Sequence, residues 1–217
     1  MRNIWKLVGT GAIALSLATG APAAAQNNAA EPPAPNGRVA DLRIGDADYT
    51  LGNAGAAVTI VEYASLTCPH CASFHTTVLP DVKKEFVDTG KVRYVYRDFP
   101  LDRIALAAAM TARCAGRDSF FGFIDTFYAA QAQWSRASNP IVALGNLARL
   151  GGMSQETFDA CLQNNDIQNA ILQQRLEASN DFKIESTPTI FVNGAKYSGG
   201  MTLDQLRTLL SRLLTKN

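Results

Sequence analysis

Apolar positions in this chain fall into two rhythms, one of strand length and one of helical period. Val58-Thr59-Ile60-Val61-Glu62-Tyr63-Ala64 is short, β-branched and aromatic, with a single acid inside it. That pattern predicts a buried strand. Val92-Arg93-Tyr94-Val95-Tyr96-Arg97 reads as a second strand. Thr189-Ile190-Phe191-Val192 leads into Asn193-Gly194, a strong two-residue hairpin signal, followed by Ala195-Lys196-Tyr197. Weaker strand or turn signals run through Tyr49-Thr50-Leu51-Gly52. Residues 69–89 predict a helix: Pro69 suits the first helical position and Gly90 the stop, while Pro80 should kink or split it. Residues 101–182 carry no strong strand signal. Helical patterns follow one another there, over 104–115, 119–128, 140–150, 154–162 and 166–180. At the end, Thr202 and Gln205 predict a capping box. Leu203, Leu206, Leu209, Leu210, Leu213 and Leu214 share one face of the helix it opens, which should close against a sheet.

The order β–α–β, helical block, β–β–α predicts an α/β protein with a thioredoxin-like fold and an inserted all-helical domain. The expected division is residues 41–100 for the first half of the thioredoxin-like domain, 101–184 for the insert and 185–217 for the second half. Residues 26–40, polar and proline-rich, are expected to form a disordered lead-in.

The N-terminus changes the compartment. Arg2 and Lys6 precede a short apolar stretch, and Ala21-Pro22-Ala23-Ala24-Ala25-Gln26 offers a small-residue cleavage site. Residues 1–25 therefore read as a cleavable signal peptide, their apolar run being short of the roughly 20 residues a spanning helix needs. Without them the chain has 192 residues, 18 basic and 19 acidic, a formal charge of −1. That balance argues against nucleic acid as a partner. Export implies an oxidising, periplasmic setting in which four cysteines, at 68, 71, 114 and 161, read naturally as two pairs.

Cys68-Pro69-His70-Cys71 stands at the predicted strand-to-helix junction. Two cysteines at this spacing can form a disulfide with one sulfur exposed at the helix N-terminus. Free backbone N–H groups and the helix dipole there favour a thiolate. The motif is thus a site for thiol–disulfide exchange. Cys68, Cys71 and His75 could supply three metal ligands, but a structural zinc site wants four, and no second pair is spaced like the other half of a zinc finger. Haem attachment needs a histidine directly after the second cysteine, where this chain has Ala72. No metal or cofactor is expected beyond the redox-active disulfide. For His70 the choice is between an exposed turn residue and a redox-tuning one, and its place inside the motif favours tuning. Cys114 and Cys161 read as a structural pair rather than a second relay; a disulfide closing that loop stabilises by roughly 4 kcal/mol in the chain-entropy model. Phe120, Phe121, Phe123, Phe127, Tyr128 and Trp134 read as core of the helical block.

Cys68-Pro69-His70-Cys71, Ser186-Thr187-Pro188-Thr189 before the hairpin, and the position of the helical insert together resemble the DsbA family of exported bacterial thiol–disulfide oxidoreductases, over about residues 50–215. A strongly lowered pKa of the attacking cysteine is a property known of that family. The resemblance implies that Cys68 attacks, its thiolate held by helix N–H groups and by His70, and that Cys71 is the buried resolving thiol. It implies a cis Thr187–Pro188 bond beside Cys68, a loop that pairs with an extended substrate, and Thr187 as a residue that tunes Cys68. Glu62, six residues before Cys68, matches a buried acid of the family and is expected to accept or give the resolving thiol's proton; the alternative is an exposed position at a strand edge.

The expected function is a monomeric exported oxidase that introduces disulfides into reduced, unfolded exported proteins. The resemblance implies re-oxidation by a DsbB-like, quinone-linked membrane protein. A disulfide isomerase or reductase with the same site is the second reading. It is disfavoured because only about thirty residues separate the cleavage site from the first confident strand, too few for a dimerisation domain. A metal carrier or a holdase for unfolded chains is a third.

Overall fold

In the computed structural model the described residues are 31–35 and 40–215. The expected signal peptide, its cleavage site and much of the expected lead-in lie outside them. Five strands form one sheet: β1 (Tyr49–Leu51), β2 (Val58–Ala64), β3 (Val92–Asp98), β4 (Thr189–Val192) and β5 (Ala195–Ser198), in the order β1-β3-β2-β4-β5. β2 and β3 are parallel, so the chain between them must cross over, and it does so through helix. β4 and β5 are an antiparallel hairpin joined at Asn193 and Gly194, with φ of 46° and 79°. Positive φ at both turn positions is what the Asn-Gly pair supplies at least steric cost.

The crossover holds α1 (Pro69–Thr77), α2 (Leu79–Val82) and a π-helical turn over Lys83–Val87. The break between α1 and α2 lies just before Pro80, whose ring cannot continue the first helix. Six helices lie between β3 and β4: α3 (Arg103–Cys114), α4 (Arg117–Ala129), α5 (Gln131–Ser135), α6 (Pro140–Leu150), α7 (Gln155–Leu162) and α8 (Asn165–Asp181). The fold is therefore thioredoxin-like with an inserted helical domain. A disulfide joins Cys114, at the end of α3, to Cys161 in α7, with the two Cα atoms 6.1 Å apart. Last, α9 (Leu203–Leu214) starts in a capping box made by Thr202 and Gln205 and lays Leu206, Leu209 and Leu210 against the core.

Alternation along β2 decides which side chain meets which layer. Val58, Ile60 and Ala64 face a large cluster shared with α1, α9 and the insert, while Val61 and Tyr63 face a smaller one with Val95, Phe99 and Phe191. Glu62, between Ile60 and Ala64 in this alternation, is thereby turned toward α1. Its register partners are Tyr96 on β3 and Ile190 on β4, so it sits in the middle of the sheet, fully buried.

The opposite face carries a buried ion pair. Arg97 grips both carboxylate oxygens of Asp48, Nε–Oδ1 at 2.7 Å and Nη2–Oδ2 at 2.9 Å. It also donates to the Tyr63 hydroxyl and to the Arg43 carbonyl, each at 2.8 Å. Removing one partner of such a pair leaves an uncompensated charge under the sheet. Asp48→Ala should lower unfolding stability by about 3 kcal/mol in urea denaturation, whereas a loss under about 1 kcal/mol would mean that Tyr63 and the Arg43 carbonyl suffice for Arg97.

Candidate active site

β2 ends at Ala64, and four residues later Cys68 caps α1 in an extended conformation, φ −79° and ψ 119°. Pro69 follows as the first helical residue. The opening N–H groups of α1 are consequently free to serve the sulfur. Those of His70 and Cys71 do so, and they help to hold the Cys68 thiol down. The loop into this cap is stitched to the insert. Thr67 donates to Asp102, the N-cap of α3, at 2.6 Å, and the Leu101 N–H bonds Ser65 Oγ at 3.3 Å. Gln131, buried in α5, donates from Nε2 to the carbonyls of Leu66 and Cys68, both at 2.9 Å.

Cys68 faces the loop before β4. Its Sγ lies 3.2 Å from the Thr187 carbonyl, and the Thr187–Pro188 peptide is cis. The Thr187 hydroxyl is buried without a hydrogen-bond partner. This loop changes one expectation. Cys68 is not an open sulfur but only 5% exposed, and Cys71 is wholly buried. His70 also differs from expectation. Its ring is exposed, and its hydrogen bond to Cys68 comes from the backbone. The ring borders an open groove of 560 Å³ together with Phe74, Val78, Met201 and Leu203.

Both active-site cysteines are thiols here, and their protons are held very differently. Cys68 is lowered from 9.0 to about 5, first by the hydrogen bond from the Cys71 side chain, then by Thr187 and the N–H groups of Cys71 and His70, against the cost of burial. Cys71 is pushed well above 9.0 by burial first, then by that same bond to Cys68 and by the charges of Glu62 and Cys68. One hydrogen bond therefore acts on both groups in opposite directions. Below them, Glu62 Oε2 receives the Tyr94 hydroxyl and lies 3.1 Å from His75 Nε2. Glu62 is thus buried and not at a solvent edge.

Of the residues singled out in the sequence, Cys68, Pro69, His70, Cys71, Thr187 and Pro188 come together at one end of β2, with Glu62 beneath. Cys114 and Cys161 are bonded to each other within the helical insert. Gln131, Tyr94 and the pairing of His75 with Glu62 were missed. Gln131 left one trace, a polar residue next to an aromatic-rich helix. The other two depend on strand register. Among the described residues no group of three or more His, Cys, Asp or Glu side chains is arranged to hold a metal ion.

The model of a family described as "Thioredoxin" matches residues 46–212. A putative protein-disulfide oxidoreductase of Rickettsia felis is 34% identical over 174 residues, 80% of this chain. The chain spans 62% of that relative's length. A probable disulfide bond formation protein D of Bacillus anthracis is 28% identical over 151 residues, 67% of this chain and 69% of that one. Among solved structures, alpha-DsbA1 of Wolbachia pipientis superposes with a TM-score of 0.75 at 31% identity, covering 81% of this chain and 94% of its own.

A thiol titrating near 5 rather than 9 stabilises the folded dithiol form, fully above pH 9 and progressively less as pH falls toward 5. Thiolate absorbance at 240 nm in the reduced protein should therefore titrate with a midpoint of about 5 and vanish in Cys68→Ser. A midpoint near 9 would show that the α1 N–H groups and Cys71 do not act on this sulfur.

Proposed function

The chain belongs to the thioredoxin family, in its DsbA-type branch, and we propose on that footing that it is an exported protein-disulfide oxidase. The observation that carries the reading is the asymmetry of the cysteine pair. A thiolate of low pKa is a good leaving group and stabilises the reduced enzyme, so its disulfide gives itself away readily. In free-energy terms, a thiol held at about 5 instead of 9.0 favours the thiolate by roughly 5 kcal/mol.

In the disulfide form a substrate thiolate attacks Cys68, the less buried sulfur. The Cys68–Cys71 bond breaks, its electron pair goes to Cys71, and Cys71 takes a proton from Glu62. A second substrate thiol, deprotonated, attacks the substrate sulfur of the mixed disulfide. Cys68 leaves as the thiolate that the α1 N–H groups and Cys71 hold. The products are an oxidised substrate and the dithiol enzyme seen here. Unfolded chains suit the site because the Thr187–Pro188 loop can pair with extended backbone, and the groove beside His70 offers Phe74, Met201 and Leu203 to apolar side chains.

Export is supported by the signal-peptide pattern of residues 1–25 and by the Cys114–Cys161 disulfide, a bond that persists in oxidising compartments. Re-oxidation falls to a quinone-linked membrane oxidase of the DsbB kind, and the enzyme acts as a monomer.

Two measurements test this reading. The disulfide form should oxidise a reduced, unfolded protein stoichiometrically, and Cys68→Ser should abolish the transfer. The equilibrium potential of the pair in glutathione buffer, with Cys114 and Cys161 both changed to serine in a parallel sample, should lie near the oxidising end at about −120 mV. A value near −270 mV, about that of a reductant, would assign the site to reduction or isomerisation instead.

A further inference from the structure

A buried histidine beneath the cysteine pair takes no part in the chemistry described so far. His75 follows Cys71 by one helical turn, so the two side chains leave α1 on the same face. It is 5% exposed. Its Nε2 lies 3.1 Å from Glu62 Oε2 and 3.4 Å from the Tyr94 hydroxyl, which itself donates to Oε2. The ring packs on Tyr128 with centroids 4.2 Å apart and meets Tyr96 edge-on at 5.7 Å. The Tyr96 and Tyr128 hydroxyls bond each other at 3.1 Å and leave the imidazole alone. The titratable groups around His75 are thus Glu62 from β2, Tyr94 and Tyr96 from β3, Tyr128 from α4, and Cys71 on its own helix.

Two buried polar atoms in this cluster lack a hydrogen-bond partner, Glu62 Oε1 and His75 Nδ1. Buried polar atoms are normally satisfied, and exceptions call for a reason. Here each residue commits one atom to its neighbour and keeps the other vacant. The pair can therefore gain or lose one proton, on Oε1 as a carboxylic acid or on Nδ1 as an imidazolium, without breaking the contact between Nε2 and Oε2. A ring that only filled space would need neither the acid partner nor the shared oxygen.

Building on the disulfide-exchange reading above, we propose that His75 is a positioning residue for the redox proton: it pins Oε2 of Glu62, leaves Oε1 as the exchanging atom, and shares with Glu62 the proton that Cys71 takes up and returns. During substrate oxidation the Cys68–Cys71 bond breaks, Cys71 receives the electron pair, and the proton of the Glu62–His75 pair moves onto its sulfur. A carboxylate remains, hydrogen-bonded by His75 Nε2–H and the Tyr94 hydroxyl. On re-oxidation by a disulfide compound, the Cys68 thiolate attacks and displaces one thiolate of the oxidant. Cys71 then gives its proton back to the pair and attacks Cys68, and the oxidant's second half leaves as thiolate.

The full-length protein, His75→Gln, Glu62→Gln and the double variant test this. Glutamine can still donate to Oε2 but cannot take up a proton. Reduction of the disulfide form by dithiothreitol, followed from pH 5 to 9, should be about tenfold slower at pH 7 in His75→Gln, with an altered pH profile. The double variant should be no slower than Glu62→Gln alone. The chain has two histidines, so ring ¹⁵N signals of the labelled wild type are assigned with a His70→Asn variant. They should differ for His75 between disulfide and dithiol forms, and the difference should disappear in Glu62→Gln. This second measurement holds even where His75→Gln fails to fold. A wild-type rate and pH profile in His75→Gln, or His75 signals identical in the two redox forms, overturns the proposal. Failure of the wild type to oxidise a reduced protein, with these rates and signals as expected, instead removes the oxidase reading and leaves the proton role standing.

Discussion

A negative charge on sulfur within a nearly closed site needs donors from several directions at once, and the arrangement of this fold can be followed from that requirement. Cys68 is 5% exposed, so water cannot do most of the solvating. The donors are the Cys71 side chain and the N–H groups of His70 and Cys71. The backbone donors exist because Cys68 stands at the N-cap of α1, where the first N–H groups have no helical partners, and because Pro69, lacking an N–H, begins the helix. β2 delivers Cys68 to that position, and antiparallel pairing of β4 with β2 brings the Thr187 loop across it. The parallel β2–β3 pair demands a crossover, and the crossover's first helix is α1.

The insert has a structural part in this. Gln131 ties two carbonyls around Cys68, while Asp102 caps α3 and holds Thr67. The approach to the cap is thereby fixed from the helical side and the cysteine from the sheet side. Such double restraint is what keeps donors directed at one sulfur when its charge comes and goes.

The chain's own order of residues announced much of this. Periodicity located the strands and most helices, because buried strands and amphipathic helices bury different spacings. Asn193-Gly194 marked the hairpin because few other pairs accept positive φ at both positions. The cysteine motif and Thr187-Pro188 marked two parts of the site through their resemblance to a family. What stayed hidden was contact between elements distant in sequence. Gln131 lies 63 residues from Cys68, and nothing local says where its amide points. Glu62 was visible as an acid in an apolar strand, but its partners depend on the β2–β3 register and on the turn that puts His75 beneath Cys71. The closure over Cys68 was hidden for the same reason, since it belongs to a loop 119 residues away. At His70, motif membership says nothing about whether a ring or a backbone N–H faces the sulfur.

The two cysteines cannot be tuned separately. The Cys71 S–H that steadies the Cys68 thiolate is the proton that Cys71 must lose before it can attack. Strengthening that bond lowers one thiol and raises the other. The result is a cysteine pair whose first sulfur leaves easily while its second resolves slowly unless something removes its proton. Burial and the Glu62 charge raise Cys71 further. On the reading proposed above, such a pair favours passing its disulfide on to a second substrate thiol over taking it back. On that reading, a proton acceptor beneath Cys71 makes the reverse step fast. On the reading proposed above, exchange in both directions then depends on the buried acid Glu62 as well as on the cysteines.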